Sequence, residues 1–433
     1  MGPMAFSQRL IAHSKAQGRD IRVAIVGAGQ MGHGFGCQVN RIPGMSLALV
    51  IDIDESRIRS LYDDIGAKDV VISDDVAVLT KALLAGKPAG TTTTKFVAEL
   101  PFDIIVESTG IPDVGAHVAY TSLLAKKDVA VLNVEMDVTI GPLLHYTAQQ
   151  AGAVYTVCHG DEPVEAKVLV DYARDLQFEV IAAGKGKNNP FEPLSTPDTV
   201  RERAVAKGMN PKMLCSFTDG SKTMIEMAAL ANATGLELSK RGMYGPEATI
   251  KTLHSVYSLQ KDGGVLDRAG VIDYCTGDVA PGVFVIVRTD APYINDELKY
   301  LNLGTGPYFA LYRPFHLASV EAPLSLARAV LDREASLYSP SLKAEVATMA
   351  KKDMKPGDVI DSIGGYTVRG YADIAKDSKR DNLVPIGIIA GAVVTKDIKV
   401  GDLITYDQVA VDESSLIVQL RRKQDEMGLT YAS

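Results

Sequence analysis

Apolar positions are arranged in two different ways along this chain. Between residues 21 and about 135, short apolar runs are separated by stretches of helical pattern. The runs are Val23 to Val26, Leu47 to Ile51, Val70 to Ile72, Phe102 to Val106 and Val129 to Leu132. Their alternation with helical patterns predicts an α/β fold built on a doubly wound parallel sheet. Further strand-like runs follow at Ala153 to Cys158, Val180 to Ala183 and Val283 to Val287. Helical patterns lead up to about Asp175 and run from about Ala318 to Leu331. A third ends near Gly235, a C-cap residue, and starts with Asp219 or Ser221 as N-cap. Asn189 to Met213 reads as an irregular polar excursion.

The last hundred or so residues change character. Short β-like runs punctuated by glycine occur at Met354 to Asp361, Val368 to Tyr371, Val384 to Val394 and Asp397 to Thr405. They predict a small β-rich domain joined by the charged segment Lys343 to Lys355. At 433 residues the chain is too long for one ordinary core. Three spans are expected: a sheet domain over 1–155, an α+β domain over 156–335 and the β-rich domain over 336–433.

Composition narrows the classes of function. A net charge of −8 gives no basic footprint, so nucleic acid is not an expected partner. No apolar stretch is long enough and free enough of charge to span a bilayer. Met1 to Asp20 is polar and lacks the apolar core of a secretory signal. Cys37, Cys158, Cys215 and Cys275 lie far apart without a C-x-x-C pair, which favours reduced thiols in a cytoplasmic protein.

The first apolar run ends in Gly27-Ala-Gly-Gln-Met-Gly32, a G-x-G-x-x-G pattern between a strand and a helix. Gly27 would make the tight turn, Gly29 would let a pyrophosphate approach the backbone, and Gly32 would let the helix pack on the strand. Gln30 and Met31 open the helix, whose N-terminus favours phosphate. The second run ends at Asp52, the expected offset for an acid that binds the adenosine ribose. That acid favours NAD, whereas Arg57 and Arg59 follow within reach of a 2′-phosphate, so both cofactors stay open. Glu107-Ser108-Thr109-Gly110 and Asn133-Val-Glu135 follow later strands and are expected to border the nicotinamide, because ligands sit outside the carboxyl ends of such strands.

Two stretches of the middle region carry candidate substrate chemistry. Gly184-Lys185-Gly-Lys187-Asn188-Asn-Pro190 offers two ammonium groups and amides between glycines, suited to an anion in a loop. Asp219-Gly-Ser221-Lys222 opens a helix on which Lys222 and Glu226 share a face at i, i+4. A lysine in the first turn opposes the helix dipole, which suggests a ligand there. An acid and an ammonium at such a place polarise a carbonyl and shuttle its proton. Arg313 and His316 would complete an anion site from the far side.

Three resemblances add to these readings. Gly27 to Gly32, the Asp52 strand end, Glu107-Ser-Thr-Gly110 and Asp219 after a Phe-Thr run resemble the homoserine dehydrogenase-like oxidoreductases. That likeness implies a Rossmann domain followed by a substrate domain that also dimerises through its sheet, hence a homodimer. Asn133-Val-Glu135 replaces the family's Asn-Lys-Ala, and its Asp-to-Lys spacing of four becomes three at Asp219 and Lys222. Both departures point away from homoserine. Gly391-Ala-Val-Val-Thr-Lys-Asp-Ile-Lys-Val-Gly-Asp-Leu-Ile-Thr-Tyr-Asp407 resembles the SAF domain. Over its whole length the chain resembles the 1-deoxy-D-xylulose 5-phosphate reductoisomerase-like (DRL) enzymes.

The last resemblance implies a rearrangement of a sugar phosphate followed by hydride transfer from NADPH, in isoprenoid precursor biosynthesis. It also implies a divalent cation, Mg²⁺ or Mn²⁺, for an enediolate. Glu135, Asp137, Asp161 or Glu162 are candidate ligands, though no spacing here is diagnostic of a metal site. Lys185, Lys187, Asn188, Ser221 and Lys222 are the expected phosphate contacts, with Arg313 and His316 behind them. Asp219, Lys222, Glu226 and Glu135 are the expected catalytic groups. Two other readings remain: a dehydrogenase of homoserine or another small hydroxy compound, with NADH or NADPH, and a nucleotide sensor without turnover. The polar set at Asp219, Lys222 and Glu226 counts against the sensor.

Overall fold

The computed structural model describes residues 5–431. They divide into two compact units: one runs to Asp161 and takes back Leu317–Tyr338, and the other comprises Glu162–His316 and the chain from Ser339 onward.

Among the described residues, the first unit holds a seven-stranded sheet. Its strands are β1 (Ile21–Val26), β2 (Met45–Ile51), β3 (Val71–Ile72), β4 (Ala89–Thr91), β5 (Ile104–Glu107), β6 (Asp128–Val131) and β7 (Tyr155–Val157). The order is β3-β4-β2-β1-β5-β6-β7, and every pair is parallel. This is the Rossmann-like α/β sheet that the apolar alternation predicts. β1 and β5 read as unbroken apolar runs because both faces of the sheet are covered. β1 is flanked by β2 on one side and, after the chain crosses back from β4, by β5 on the other, so the crevice beyond their carboxyl ends is the topological switch point.

The helix Ala318–Asp332 belongs to this unit. Its Ala322, Leu326, Ala327 and Ala329 join Ile25, Phe35 and Ile104 in one core. Arg333, just beyond it, grips Asp128 through both guanidinium ends. The span 317–338 thus returns to the first unit from late in the chain.

In the second unit the described strands are β8 (Glu179–Gly186), β9 (Glu237–Leu238), β10 (Glu247–Ala248), β11 (Val271–Gly277), β12 (Val283–Arg288) and β13 (Phe309–Arg313). They form a mixed sheet ordered β10-β11-β8-β12-β13, with β9 beside β11. β8 is central, parallel to β11 and antiparallel to β12. It is longer than its apolar run suggests, continuing through Lys185 to Gly186. The glycines there are not turn formers. A Cβ on Gly184 would fall 1.7 Å from the Asp273 carbonyl oxygen, and one on Gly186 would fall 2.2 Å from the Ala280 nitrogen.

The helices Glu162–Asp175 and Ser221–Thr234 pack against this sheet and each other. The antiparallel pair β14 (Ala344–Ala350) and β15 (Val368–Ile374) packs on Ser221–Thr234 as well. Covered in this way, that helix buries all but two of its residues, which explains the apolar run Met227 to Ala231 on it. Asn232 Oδ1 accepts from the amides of Lys343 (2.7 Å) and Ala344 (2.8 Å), anchoring the entry to β14. Arg241 donates to both oxygens of the buried Asp373 at 2.7 Å, anchoring β15. The tail beyond also holds the helices Ala375–Arg380 and Leu416–Glu426, short bridges, and the pair β16 (Val393–Val394) and β17 (Val409–Ala410).

Two local expectations change. The excursion 189–213 contains the helix Arg201–Ala206, and the helix Pro211–Thr218 begins within it. The N-cap of Ser221–Thr234 is neither Asp219 nor Ser221 but Gly220, at φ +89°. A Cβ on Gly220 would also meet the Phe191 ring at 2.5 Å, so glycine is required on both counts. Among the described residues no helix is long and apolar enough to cross a membrane.

Candidate functional site

Each unit carries one half of the predicted chemistry. In the first, Gly27 follows β1 at φ +90° and its amide donates to the Ile51 carbonyl at 2.8 Å. A Cβ on Gly32 would fall 1.8 Å from the Gly27 carbonyl oxygen, so the helix Gln30–Val39 crosses the loop at a separation only glycine permits. A Cβ on Gly29, by contrast, would meet nothing among the described residues within 4 Å. Its small size leaves the backbone open, as a phosphate approaching the amides requires. Gln30 and Met31 form the first turn, Gln30 exposed and Met31 half-buried.

Asp52 is placed differently from a ribose-binding acid with free oxygens. It is only 7 % exposed; Oδ2 accepts from the Ala28 amide (2.7 Å) and Oδ1 from the Asp54 amide (2.9 Å). The carboxylate thus fastens the end of β2 to the glycine loop. Arg57 is more than half exposed; its Nη1 lies 4.0 Å from Asp52 and its Nε 3.6 Å from Asp54.

Ser108 and Thr109 also face inward. The Ser108 hydroxyl is shared between the carbonyls of Val26 (2.9 Å) and Gly27 (2.7 Å). Thr109 donates its amide (2.8 Å) and its hydroxyl to Glu107 Oε1. Both side chains hold the crevice in shape, and the exposed Gly110, at φ +67°, leaves backbone at its rim. Glu107 is wholly buried, and burial pushes its carboxyl up to about 7. Asn133 lies close enough to oppose that rise by hydrogen bonding, and a Cβ on Gly115 would touch both Glu107 Oε2 and Asn133 Nδ2. Glu135 stands half-buried in the first turn of the helix Val134–Ala151, near enough to Glu107 for its charge to add to that shift.

The second unit gathers most of the remaining predicted residues. Lys185, near the end of β8, lies 2.8 Å from Glu162 Oε1 and also pairs with Glu226 Oε2. Burial alone would lower its pKa, but the two carboxylates outweigh burial and raise it, so Lys185 stays an ammonium. Burial and the neighbouring Glu162 raise the Glu226 pKa against the pull of Lys185 and Lys222. Lys222 Nζ is 3.9 Å from Glu226 Oε1, and His316 Nε2 is 3.2 Å from Glu162 Oε1. Arg313, at the end of β13, pairs with Glu165 one turn along from Glu162 and lies over the Phe315 ring at 4.6 Å. One helix, two strand ends and a second helix therefore bring Glu162, Glu165, Lys185, Lys222, Glu226, Arg313 and His316 into one charged cluster.

Three predicted residues have other duties. Lys187 donates to the carbonyls of Asn189 (2.6 Å), Pro190 (3.2 Å) and Phe217 (2.8 Å), which accounts for all three of its hydrogens. Burial, with the charge of Lys185, lowers its pKa to about 8. The amides of Gly186 and Lys187 bond to the carbonyls of Gly282 and Cys275. The first part of the anticipated phosphate loop, as far as Gly186, is thus strand, and beyond it Asn188 and Pro190 are exposed. Ser221 Oγ accepts from the Gly370 amide at 2.8 Å. Asp219 has no exposed surface: Oδ1 accepts from the Ser221 amide (2.9 Å) and Oδ2 pairs with Lys351 (3.0 Å). It braces the helix start instead of offering a proton-transfer group.

Lys351 is the residue that reading the sequence missed. It lies in the charged segment taken for a linker, and its Nζ also reaches the carbonyls of Ser195 (2.9 Å) and Gly365 (2.5 Å). Nothing in the local pattern separates it from its neighbour Lys352.

The donor set fits a divalent cation. Glu162 and Glu226 bring ligand oxygens within 4.8 Å of each other, and Asp161 precedes Glu162 in the chain. Hard carboxylate oxygens suit a hard cation, and the ammonium already drawn between them shows that the pair attracts positive charge.

Residues 160–322, well under half the chain, match the model of the oxidoreductase DRL catalytic domain. Among curated proteins none matches the sequence. One similar solved structure is 1-deoxy-D-xylulose 5-phosphate reductoisomerase from Zymomonas mobilis in complex with NADPH, at 18% identity and TM-score 0.34. That match covers 48% of this chain and 57% of that one, so the chain spans little over half of its length. A probable dehydrogenase from Thermotoga maritima matches at 13% identity and TM-score 0.43, over 73% of this chain and 90% of that one. A DOX-P reductoisomerase in complex with magnesium matches at 13% identity and TM-score 0.40, over 73% and 71%. The charged cluster of the second unit thus lies inside a stretch that matches an oxidoreductase catalytic domain.

Proposed function

We propose that this chain is an NAD(P)H-dependent reductoisomerase that converts 1-deoxy-D-xylulose 5-phosphate to 2-C-methyl-D-erythritol 4-phosphate. The observation that carries this reading is the gathering of Lys185, Lys222, Glu162, Glu226 and His316 within a span matching the DRL catalytic domain. A simple dehydrogenase needs one proton donor beside its carbonyl. A skeletal rearrangement must also stabilise negative charge on two adjacent oxygens, which calls for more than one cation.

In this reading the first unit holds the nicotinamide nucleotide at the glycine loop, with Arg57 beside a 2′-phosphate and NADPH as the reductant. The second unit holds the sugar phosphate. Lys222 polarises the carbonyl and gives a proton to the oxygen that becomes the alcohol as hydride reaches the carbon. Lys185, kept cationic by its two carboxylates, holds the adjacent oxygen. Glu162 and Glu226 are the residues that would hold Mg²⁺ or Mn²⁺, and the ion would neutralise charge developing on the two oxygens. The tail is read as an SAF-like domain and the assembly as a homodimer.

The test is purified protein with NADPH, Mg²⁺ or Mn²⁺ and 1-deoxy-D-xylulose 5-phosphate, followed by absorbance of the reduced cofactor. Oxidation of NADPH with formation of the branched polyol phosphate supports the reading. Turnover with homoserine or a tetrose but not this substrate sinks it in favour of a plain dehydrogenase. Tight cofactor binding with no turnover on any of them leaves a nucleotide sensor.

A further inference from the structure

The proposed substrate carries an oxyanion at its far end, and the lysines expected to bind it are occupied elsewhere. A different cation stands beside the helix that carries Lys222. Arg369, in β15, sits one residue before Gly370, whose amide donates to Ser221 Oγ at 2.8 Å. Its guanidinium lies 5.8 Å over the Phe191 ring, the ring that packs on Gly220 at the helix cap.

The surroundings of Arg369 differ from those of the other buried or half-buried arginines. Arg421 pairs with Glu345, Arg241 with Asp373 and Asp381, and Arg313 with Glu165. Arg369 has no carboxylate within ion-pair distance among the described residues. Its Nη atoms meet only the Met349 sulfur (2.8 Å) and the Gly370 carbonyl (3.4 Å). Asp219 is the one acid whose charge it feels, and both Asp219 oxygens are taken by Ser221 and Lys351. Burial lowers the Arg369 pKa from its ordinary value, the mark of a half-desolvated cation short of anions. Lys187 lies over the same Phe191 ring at 5.9 Å, so two cations stand near one aromatic ring. A desolvated cation of this kind is stabilised by an oxyanion, and a guanidinium fork takes two oxygens of a phosphate or carboxylate at once.

We infer that Arg369, supplied by the C-terminal segment, binds the terminal oxyanion of the substrate on the face defined by Phe191, Gly220 and Ser221. The inference rests on the reading of the second unit as the substrate half. It gives the tail a direct part in recognition, with β15 holding the anion and Lys222 working at the other end of the molecule.

The probe is inorganic phosphate, titrated into full-length protein at constant ionic strength and followed by calorimetry, with glycolate as a carboxylate in a parallel arm. Phosphate binding that weakens about tenfold or more in Arg369→Met, and less in Arg369→Lys, supports a phosphate seat. The same pattern with glycolate alone supports a carboxylate seat. Equal affinity in wild type and Arg369→Met, or no binding of either anion to wild type, overturns the inference. NADPH affinity and thermal midpoint, expected to stay unchanged, report folding; if Arg369→Met does not fold, Arg369→Lys carries the comparison. Arg369-dependent anion binding without turnover of any sugar phosphate would remove the reductoisomerase reading and leave the seat in place.

Discussion

Lys351 Nζ lies 3.0 Å from Asp219 Oδ2, and the two side chains are 1% and 0% exposed. The pair joins the C-terminal segment to the turn between the helices Pro211–Thr218 and Ser221–Thr234 across 132 residues of sequence. Both partners are further bonded, Asp219 to the Ser221 amide and Lys351 to two carbonyls, so neither charge is left uncompensated. An ion pair this deep is held by its geometry, and removing one partner strands the other.

Replacing Lys351 by Met is therefore expected to destabilise the second unit by about 3–5 kcal/mol, the range for breaking a buried pair. Asp219→Asn should be nearly as costly, and the double variant should lose clearly less than the sum. Urea unfolding of the three variants measures this. Strict additivity would mean that the two residues do not act as a pair.

Lys222→Ala should lower turnover about 10²-fold or more, the usual contribution of a positioned proton donor, while the NADPH dissociation constant stays nearly the same. Single-turnover kinetics beside equilibrium cofactor titration separates the two quantities. Unchanged turnover would take Lys222 out of the site.

Arg57 sits at the rim of the nucleotide crevice, with one face toward Asp52 and Asp54 and more than half its surface exposed. Arg57→Ala should weaken NADPH about tenfold and NADH little, because only the former has a 2′-phosphate for the guanidinium. Competitive titrations of both cofactors decide it. An equal loss for both would assign Arg57 to holding the loop alone.

Glu107 gives a pH signature. Burial raises its carboxyl to about 7 from an ordinary 4.5, so the folded chain binds that proton more tightly than the unfolded chain. Stability from this group should be complete below about pH 4.5, fall as pH rises toward 7 and stay flat above. The full swing is about 3 kcal/mol. Glu107→Gln should flatten this part of the profile and be the more stable protein at pH 8, as read from urea midpoints between about pH 5 and 8. An unaltered slope in the variant would place the titrating group elsewhere.

Much of the first unit was legible because its signals are local. An apolar run followed by glycines at fixed offsets encodes a buried strand and a tight turn wherever it occurs, and β1 with Gly27 and Gly32 behaves accordingly. The i, i+4 relation of Lys222 and Glu226 follows in the same way from helical period. The duties of Asp52, Ser108 and Thr109 were not legible. Each is a polar residue at a strand end, and only the positions of nearby amides and carbonyls decide whether it faces a ligand or the loop.

The sequence by itself determined the parallel sheet, the glycine loop and the helix that ends near Gly235, since burial period and backbone sterics act within a few residues. Tertiary structure alone decided that Gly184 and Gly186 admit a neighbouring strand instead of making a turn, because that depends on what lies 1.7 Å and 2.2 Å from an added Cβ. It decided that Ala318–Asp332 returns to the first unit. It also decided that Asp219 answers to Lys351, while Arg369 has no acid within ion-pair distance among the described residues. Charges pair through space, and chain separation places no bound on which two will meet.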